Sequence, residues 1–132
     1  MVDSQEKKTL SPANEDYLEA ILALGGSKGT VRSVDLAERL KVSKASVNNA
    51  IKVLKESGYA EQPLYGAITL TEKGAEYAAG VLERHHVLYH FLLDVLGVEP
   101  QVAAREACIM EHAICDDTLK RLNAHLKDLL PY

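Results

Sequence analysis

The sequence predicts a mainly α-helical protein in two parts, a winged helix-turn-helix domain over residues 1–73 and an all-helical domain over residues 74–132. Three observations indicate this architecture. Two helical segments that each begin at a serine are joined only by Lys41 and Val42, a connection typical of a helix-turn-helix. A strand-turn-strand pattern follows at residues 59–70. A helical run of about 25 residues comes next, and at about 37 Å it is longer than a winged helix needs.

The first helix is predicted to begin at Ser11 and Pro12, which suit the N-cap and the first helical position. Apolar residues then recur at helical spacing until Gly25 ends the helix. Asp16 and Glu19 lie one turn apart in this helix, so their carboxylates emerge on the same side. A solvated acidic face near the helix start is the ordinary interpretation of such a pair. A pair of metal ligands is the alternative.

The second and third helices are predicted to begin at Ser33 and Ser43, each with serine as the N-cap. One stripe of the third helix, from Val47 to Leu54, is apolar, and its other face is polar. Small hydroxyls, amides and lysines suit the major groove of DNA, although an ordinary amphipathic helix is the alternative. From Glu38 to Glu56, five basic residues outweigh two acidic ones, whereas the whole chain has a net charge of -4. The expected DNA contacts are Ser43, Lys44, Ser46, Asn48, Asn49 and Lys52.

The β-hairpin wing is predicted from a strand-like start at Tyr59, turn-forming residues between Pro63 and Gly66, and alternating apolar residues up to Leu70. Wings commonly lie beside the phosphate backbone of DNA. This wing contains no lysine or arginine, so we expect it to complete the fold and to add little to the affinity for DNA.

The second part is predicted to contain the end of a long helix and two further helices. Thr71 caps the long helix, which continues to a stop at Gly97. The second half of this helix carries a broad apolar surface suited to another helix or another subunit. Pro100 opens the next helix, and Asp117 begins the last one. The long helix also carries three histidines, any one of which is more often a surface side chain than a ligand: His85, His86 and His90.

A cysteine, a glutamate and a histidine stand at i, i+3 and i+4 as Cys108, Glu111 and His112. On one continuous helix these side chains share a face. Thiolate, carboxylate and imidazole together suit a first-row divalent ion such as Fe, Zn, Co or Mn. The alternative is a partly buried cysteine beside a helical Glu-His pair. Three ligands on one helix rarely complete a site, and the candidates for the missing donors are Asp16, Glu19 and a histidine of the long helix.

Composition and cysteine spacing indicate a cytoplasmic protein. No apolar run approaches the roughly 20 residues that span a bilayer. Residues 1–8 lack the apolar core of a secretory signal. Seven helical positions would separate Cys108 from Cys115 by about 10.5 Å, which exceeds the roughly 7 Å that a disulfide tolerates. We therefore expect two free thiols in a reducing compartment.

These motifs, in this order and spacing, resemble the diphtheria-toxin-repressor family of iron- and manganese-dependent transcriptional regulators. The resemblance runs from DYLE at residues 16–19 through the helix-turn-helix and RHH at residues 84–86 to EACIMEH at residues 106–112. It implies a homodimeric repressor that binds double-stranded operator DNA with one or two Mn(II) or Fe(II) ions per protomer. Zn(II) or Co(II) is expected to bind in vitro. The metal ligands that it implies are Asp16, Glu19, His86, Cys108, Glu111 and His112.

The resemblance also implies a mechanism of activation. Gly97 stands where the family's helix-ending glycine follows its histidine ligand, which favours His86 over His85. The aspartate and the first glutamate would come from the DNA-binding part, and the remaining ligands from the dimerisation part. A bound metal would then fix the angle between these parts, and with it the spacing of two recognition helices that must enter major grooves about 34 Å apart. Metal would thus activate operator binding.

Three features depart from a single branch of the family. Asp16 with Glu19 resembles the manganese-responsive branch, whereas Cys108 resembles the iron-responsive branch, which has methionine at the Asp16 position. His90 and Ala104 stand where iron-type relatives have the glutamate and the histidine of an ancillary site. The chain also resembles short family members that lack a C-terminal SH3-like domain, an architecture common among manganese regulators.

Two other functions are compatible with these residues. One is a winged-helix regulator that needs no metal, in which the acidic and histidine side chains would be surface residues. The other is a small metalloenzyme, because glutamate and histidine around an open metal position can activate water. The sequence contains no Gly-rich substrate loop and no separate nucleophile, and it therefore favours a protein that is not an enzyme and has no small-molecule substrate.

Overall fold

The computed structural model describes residues 10–26, 31–63 and 66–129. These residues form helices and one two-stranded sheet, so the expected mainly α-helical fold class is confirmed. The packing divides the chain into two compact units, Met1–Ala79 and Gly80–Tyr132. The helices are α1 (Pro12–Ala23), α2 (Ser33–Leu40), α3 (Lys44–Glu56), α4 (Glu72–His90), α5 (Pro100–Met110) and α6 (Asp116–Leu129).

The first helix of the first unit begins and ends as its sequence predicts. The hydroxyl oxygen of Ser11 accepts a hydrogen bond from the Asn14 N–H at 3.1 Å, and Pro12 takes the first helical position. Beyond the end of α1, Gly25 has φ 95°. Glycine adopts this left-handed conformation at little cost, so it allows the chain to leave the helix abruptly.

The helix-turn-helix is formed by α2 and α3. The Asp35 carboxylate accepts the backbone N–H of the residue before α2 at 3.0 Å, so the prediction that Ser33 caps this helix is wrong. Lys41, in the connection, adopts the left-handed conformation with φ 57°. Ser43 caps α3 as predicted, because its hydroxyl oxygen accepts the Ser46 N–H at 3.1 Å.

The wing is a short antiparallel sheet. Strand β1 (Ala60–Glu61) pairs with β2 (Thr69–Leu70) in the register Ala60 to Leu70 and Glu61 to Thr69. A bridge between Val31 and Ile68, which the sequence did not indicate, joins the wing to the segment that precedes α2. Residues 64–65, in the predicted turn, lie outside the described residues. The wing is thus tied to the helical part of its own unit.

A glycine allows the start of α4 to lie directly against the wing. A Cβ atom on Gly74 would stand 1.9 Å from the carbonyl oxygen of Tyr59, closer than any real contact. Thr71 caps α4 as predicted, since its hydroxyl accepts the Gly74 N–H at 3.0 Å and donates to the Gly58 carbonyl at 2.7 Å. This close approach fixes α4 to the first unit.

The core of the first unit joins its helices to the sheet. The stripe of α3 from Val47 to Leu54 is buried as predicted, and α1 and α2 pack with α3. Burying one such aliphatic side chain contributes about 1.5–3 kcal/mol. The buried residues of this cluster are Tyr17, Leu18, Ala20, Ile21, Val31, Leu36, Val47, Ala50, Ile51, Leu54, Ala60, Ile68 and Ala78.

In the second unit, the backbone of α4 continues as a π-helical turn over Phe91–Val95. The N–H of Leu96 bonds to the carbonyl of Phe91 at 3.1 Å, an i to i+5 bond. Gly97, with φ 73°, then ends the run as predicted. A π-helical turn fits one more residue into the helix than α-helical geometry does. Side chains before the turn are therefore rotated relative to those after it, compared with a regular α-helix.

The core of the second unit is small. Leu88 and Leu92 pack against Ala103 and Ala107 of α5. Partly buried residues, including two leucines of α6, surround them. Within the described ranges, no helix is long and apolar enough to cross a bilayer. The large apolar side chains that this unit leaves exposed are Leu82, Leu96, Ile109 and Met110.

Candidate metal centre

Three potential metal ligands converge in the second unit. His85 lies on α4, Cys108 in the last turn of α5, and Glu111 directly after α5. The Nδ1 atom of His85 lies 2.9 Å from Glu111 Oε1 and 3.7 Å from Cys108 Sγ. One donor atom from each residue lies within 4.8 Å of the other two. Because bonds from such donors to zinc measure about 2.0–2.3 Å, three donors at this spacing can share one ion.

Glu111 lies at the centre of this arrangement. Its side chain is 1% exposed, and the Nε2 atom of His112 lies 3.5 Å from its second oxygen, Oε2. Imidazoles therefore approach both carboxylate oxygens. A buried carboxylate is unfavourable unless it is hydrogen-bonded, paired with a positive charge or bound to a metal. The surroundings of Glu111 are thus suited to holding a cation.

The expectation that one continuous helix carries Cys108, Glu111 and His112 is wrong. The helix α5 ends at Met110, with Glu111 as its C-cap, and His112 belongs to the turn that leads to α6. The Glu111 N–H still donates to the Ala107 carbonyl at 2.9 Å, so Glu111 keeps its place one turn after Cys108. His112 approaches the Glu111 carboxylate from outside the helix.

Among the described residues, this donor group contains His85 and not His86. The His86 side chain is exposed, and its ring centroid lies 6.2 Å from that of His85. The preference for His86 came from the resemblance to the family's helix-ending glycine, whereas the geometry places the imidazole of His85, one residue earlier on α4, beside Glu111. The assignment of His86 as a ligand stays a prediction.

Asp16 and Glu19, the two predicted ligands in the first unit, lie on α1. Asp16 is exposed, and Glu19 is half-buried. Asp16 lines an open groove of about 550 Å³ between α1 and α3, whose lining also includes Ser46 and Asn49. The acidic side chain therefore lies near the polar face of α3 in its own unit. The role of Asp16 and Glu19 as ligands stays a prediction.

The polar face predicted to contact DNA is accessible in the first unit. Ser43 precedes α3, and its hydroxyl donates to the Ser46 hydroxyl at 3.1 Å. The remaining candidates project from α3 outside its buried stripe, so the fold leaves their hydroxyls, amides and ammonium groups available. Their contact with DNA stays a prediction. The six residues are Ser43, Lys44, Ser46, Asn48, Asn49 and Lys52, all exposed.

Neither cysteine forms a disulfide and both are exposed, which confirms the expected thiols. Cys108 belongs to the donor group described above. Cys115 precedes α6, where its Sγ lies 3.3 Å from the Thr118 hydroxyl. This hydrogen bond lowers the pKa of the Cys115 thiol.

The third histidine of α4, His90, forms a hydrogen bond with Asp94. The Oδ2 atom of Asp94 lies 2.9 Å from the imidazole Nδ1 of His90.

The donor set fits a first-row divalent ion. Thiolate and imidazole favour Fe, Co or Zn, whereas a carboxylate also suits Mn. Structural zinc sites are usually closed by four cysteine and histidine ligands. A set with a single cysteine and a buried carboxylate differs from that pattern and suits an ion that exchanges.

The chain combines a helix-turn-helix, whose exposed helix is polar, with a group of metal donors. These two features together define the class of metal-responsive DNA-binding regulators. Two family profiles match the chain. The iron dependent repressor N-terminal DNA binding domain matches residues 9–68, and the iron dependent repressor metal binding and dimerisation domain matches residues 71–130. The chain belongs to the iron-dependent repressor family of metal-dependent, DNA-binding transcriptional repressors. The family and fold expected from the motifs are thus confirmed.

Individual relatives agree with this assignment. A helix-turn-helix-type transcriptional regulator of Methanocaldococcus jannaschii is 37% identical over 119 residues, which cover 89% of this chain and 95% of the relative. The transcriptional regulator MntR of Escherichia coli O6:H1 is 40% identical over 105 residues, covering 80% of this chain and 67% of the relative.

Solved structures show the same fold. A manganese-dependent transcriptional repressor in complex with manganese superposes with a TM-score of 0.75 and 34% identity over 86% of this chain. The metal-dependent transcriptional regulator MtsR superposes with a TM-score of 0.80 and 28% identity over 89% of this chain. The chain spans about half the length of these solved regulators, 52% and 55% respectively.

Proposed function

We propose that this protein is a repressor whose binding to operator DNA is activated by Mn(II) or Fe(II). The observation that carries the proposal is the convergence of His85, Cys108 and Glu111 within 4.8 Å, in a chain whose first unit presents an exposed polar recognition helix. The boundary between DNA-binding and dimerisation domains is proposed at residues 73 and 74, near the start of α4. We further propose that the protein acts in the cytoplasm and is not an enzyme, since its relatives regulate transcription.

The proposed ligand set is larger than the donor group formed by the second unit alone. His112 is included because its Nε2 lies 3.5 Å from the Glu111 carboxylate. Asp16 and Glu19 are included because of the resemblance to the family. For the histidine of α4 we propose His85 on the geometry, with His86 as the alternative. The full proposed set is Asp16, Glu19, His85, Cys108, Glu111 and His112.

The residues of the chain have separate roles in metal sensing and DNA binding. The Glu111 carboxylate and the Cys108 side chain, as a thiolate that has lost its proton to solvent, would supply negative charge to a cation, and the histidines would supply neutral nitrogen donors. When bound, a divalent ion offsets part of the net charge of -4 and lessens repulsion from phosphate. Because the proposed ligands come from both domains, metal binding and DNA binding depend on each other, with a coupling of about 1–3 kcal/mol.

A homodimer is proposed through the second unit. Leu96 is 58% exposed, Ile109 67% and Met110 38%, so this unit presents large apolar side chains to its surroundings. Large apolar side chains with this much exposure are candidates for a protein interface. The matching family profile also describes this region as a metal binding and dimerisation domain. A two-fold dimer would present two α3 helices to successive major grooves.

Manganese is proposed as the first choice of metal and iron as the second. Asp16 and Glu19 add hard carboxylate oxygens, which Mn(II) accepts well. Relatives named for manganese support the same choice, including a solved manganese-dependent repressor. Cys108 adds a softer thiolate and favours Fe(II). Affinity in vitro alone does not identify the metal, because Zn(II) and Cu(II) bind most N, O and S sites more tightly.

The proposed function is tested by selecting duplexes from a random DNA pool in anaerobic Mn(II). Binding of the selected duplex is then measured at fixed salt with Mn(II), Fe(II), Zn(II) or a chelator. We expect the chelator to weaken DNA binding by about 5–150-fold relative to Mn(II) or Fe(II). Equal DNA affinity in every metal and in chelator would instead support a winged-helix regulator that needs no metal.

The histidine ligand is tested with a matched pair of variants. His85→Ala and His86→Ala remove adjacent imidazoles from the same helix. We expect His85→Ala to lower the affinity for Mn(II) by at least about tenfold and His86→Ala to change it by less than about twofold. The opposite result would establish His86 as the ligand. Electron paramagnetic resonance of free Mn(II) provides the affinity without DNA.

A further inference from the structure

Arg84 connects three helices at the turn that carries Glu111 and His112. It lies on α4, next to His85. Its Nη1 donates to the carbonyl oxygen of Glu111 at 3.1 Å, and its Nη2 donates to the carboxylate of Asp116, in the first turn of α6. The Arg84 side chain is 21% exposed. One planar guanidinium thus joins α4 to the end of α5 and to the start of α6.

The two groups that accept hydrogen bonds from Arg84 indicate its structural role. The last carbonyls of a helix have no partner within the helix. A cationic side chain that binds such a carbonyl satisfies it and interacts favourably with the negative end of the helix dipole. The chain between α5 and α6 is a turn rather than a helix. Arg84 therefore holds both ends of the segment from which Glu111 and His112 project.

We propose that Arg84 is a positioning residue of the metal centre. It fixes the backbone of Glu111 and donates no atom to a metal itself. The inference rests on the proposed function, because it assigns Arg84 a role in preparing the proposed ligands. Without the guanidinium, Glu111 and His112 would have to be ordered during metal binding. Residues that orient metal ligands typically contribute about 10–100-fold to metal affinity.

The test compares Arg84→Gln with Arg121→Gln in the full chain. Arg121 is the matched control, because it pairs with Asp117 at 2.9 Å within α6 and is 80% exposed. Mn(II) affinity is measured by electron paramagnetic resonance, and Co(II) binding by the charge-transfer absorption between thiolate and cobalt. We expect Arg84→Gln to weaken both metals by about 10–100-fold and to alter the Co(II) spectrum. Arg121→Gln should stay within about twofold.

Two further variants separate positioning from folding. Arg84→Lys keeps the charge but cannot reproduce the planar pair of donors, so an intermediate loss is expected. Asp116→Ala removes the exposed partner and keeps the bond to Glu111, so a loss below about fivefold is expected. Circular dichroism establishes whether each variant is folded. If Arg84→Gln does not fold, the expected losses in the other two variants support the proposal, and wild-type affinity in both contradicts it.

The outcomes distinguish this inference from the proposed function. Wild-type protein that binds neither Mn(II) nor Co(II) contradicts the proposed function, and the role of Arg84 with it. Wild-type protein that binds both metals, with a folded Arg84→Gln variant that matches Arg121→Gln in affinity and spectrum, overturns only the role of Arg84.

Discussion

The two units of this chain are stabilised in different ways. Among the described residues, thirteen buried side chains form one cluster in the first unit, from three helices, the wing and the start of α4. Four buried side chains form the cluster of the second unit. Polar contacts occur in both units: the first pairs Tyr77 with Glu15, and the second pairs His85 with Glu111 and Arg84 with Asp116. Large apolar side chains are exposed in both units, to 37–40% for three valines of the first unit and to as much as 67% for Ile109 of the second.

This difference follows the separate tasks of the two units. A unit with a large closed core presents a surface of fixed shape, which the proposed contact of α3 with the major groove would need. The stability of a unit with a small core and a polar centre depends more on the ions and subunits that bind to it. A metal ion at Glu111 and a second copy at the apolar surface would both add stability to that unit. The first unit is thus suited to recognition, and the second to sensing.

The largest expected effect comes from comparing equivalent truncations in the two cores. Leu54 and Leu88 are both 0% exposed, the first in the larger cluster and the second in the smaller one. Leu→Ala in a core costs about 2–5 kcal/mol, and the cost falls where neighbours can collapse into the space. We expect Leu54→Ala to lower the free energy of unfolding by an amount near the upper end of this range. Leu88→Ala should lower it by an amount near the lower end. Urea denaturation measures both, and equal losses would remove the distinction between the cores.

The next effect concerns α4, the helix that both units share. At Gly74 an added Cβ would lie 1.9 Å from a backbone oxygen, whereas at Gly80 it meets no described heavy atom within 4 Å. We expect Gly74→Ala to destabilise the protein by about 1–3 kcal/mol through overpacking. Gly80→Ala should stabilise it by about 1 kcal/mol, because alanine favours a helix. Melting temperatures provide the comparison, and changes of the same sign would contradict it.

A somewhat smaller effect is expected from a buried polar contact in the first unit. The Tyr77 hydroxyl donates to the Glu15 carboxylate at 2.6 Å and accepts the Leu10 N–H at 3.0 Å. Glu15 is 6% exposed. Tyr77→Phe removes one hydrogen-bond partner of this buried carboxylate, so we expect a loss of about 1–2 kcal/mol in the free energy of unfolding.

This contact also predicts a dependence on pH. Burial, together with the hydrogen bond to Glu15, raises the pKa of the Tyr77 hydroxyl above its ordinary value. A raised pKa in the folded state gives stability that is complete below the ordinary pKa of about 10 and declines as the pH rises above it. The difference between wild type and Tyr77→Phe should therefore be smaller at about pH 10.5 than at about pH 8. A difference that grows with pH would contradict this assignment.

The smallest effect on the folded protomer is expected at the apolar surface of the second unit. Ile109 is 67% exposed, so Ile109→Asp should change the stability of the protomer by less than about 0.5 kcal/mol. The same change should abolish dimers, because it places a charge in the proposed interface. Analytical ultracentrifugation measures the association. Dimers of wild-type affinity in Ile109→Asp would place the interface elsewhere.

Local signals in the sequence were sufficient to predict most of the structure of the first unit. Ser11, Ser43 and Thr71 were correctly identified as helix caps, because a cap depends on a hydroxyl and on residues within one turn of it. The buried stripe of α3 followed from helical periodicity alone. The bridge between Val31 and Ile68 was missed, since neither residue's local pattern specifies its distant partner.

The candidate metal centre was only partly predictable. Cys108 and Glu111 were identified by residue type and spacing, and both belong to the observed donor group. The resemblance favoured His86, whereas the observed donor group contains the adjacent His85, and which of the two histidines binds metal stays a prediction. The end of α5 at Met110 was missed as well. The contact of Arg84 with the Glu111 carbonyl, at this end of α5, joins residues 27 positions apart and has no local signal in the sequence.

We propose that metal binding and DNA binding are coupled through Glu111. The most direct test of this coupling is the affinity of the protein for Mn(II), measured with and without a selected operator duplex. Coupling between binding equilibria is reciprocal, so the duplex should tighten Mn(II) binding by the same factor by which Mn(II) tightens DNA binding, about 5–150-fold. Glu111→Gln, which removes the charge and keeps the shape, should lose this response. The same Mn(II) affinity in the presence and absence of the duplex would contradict this coupling.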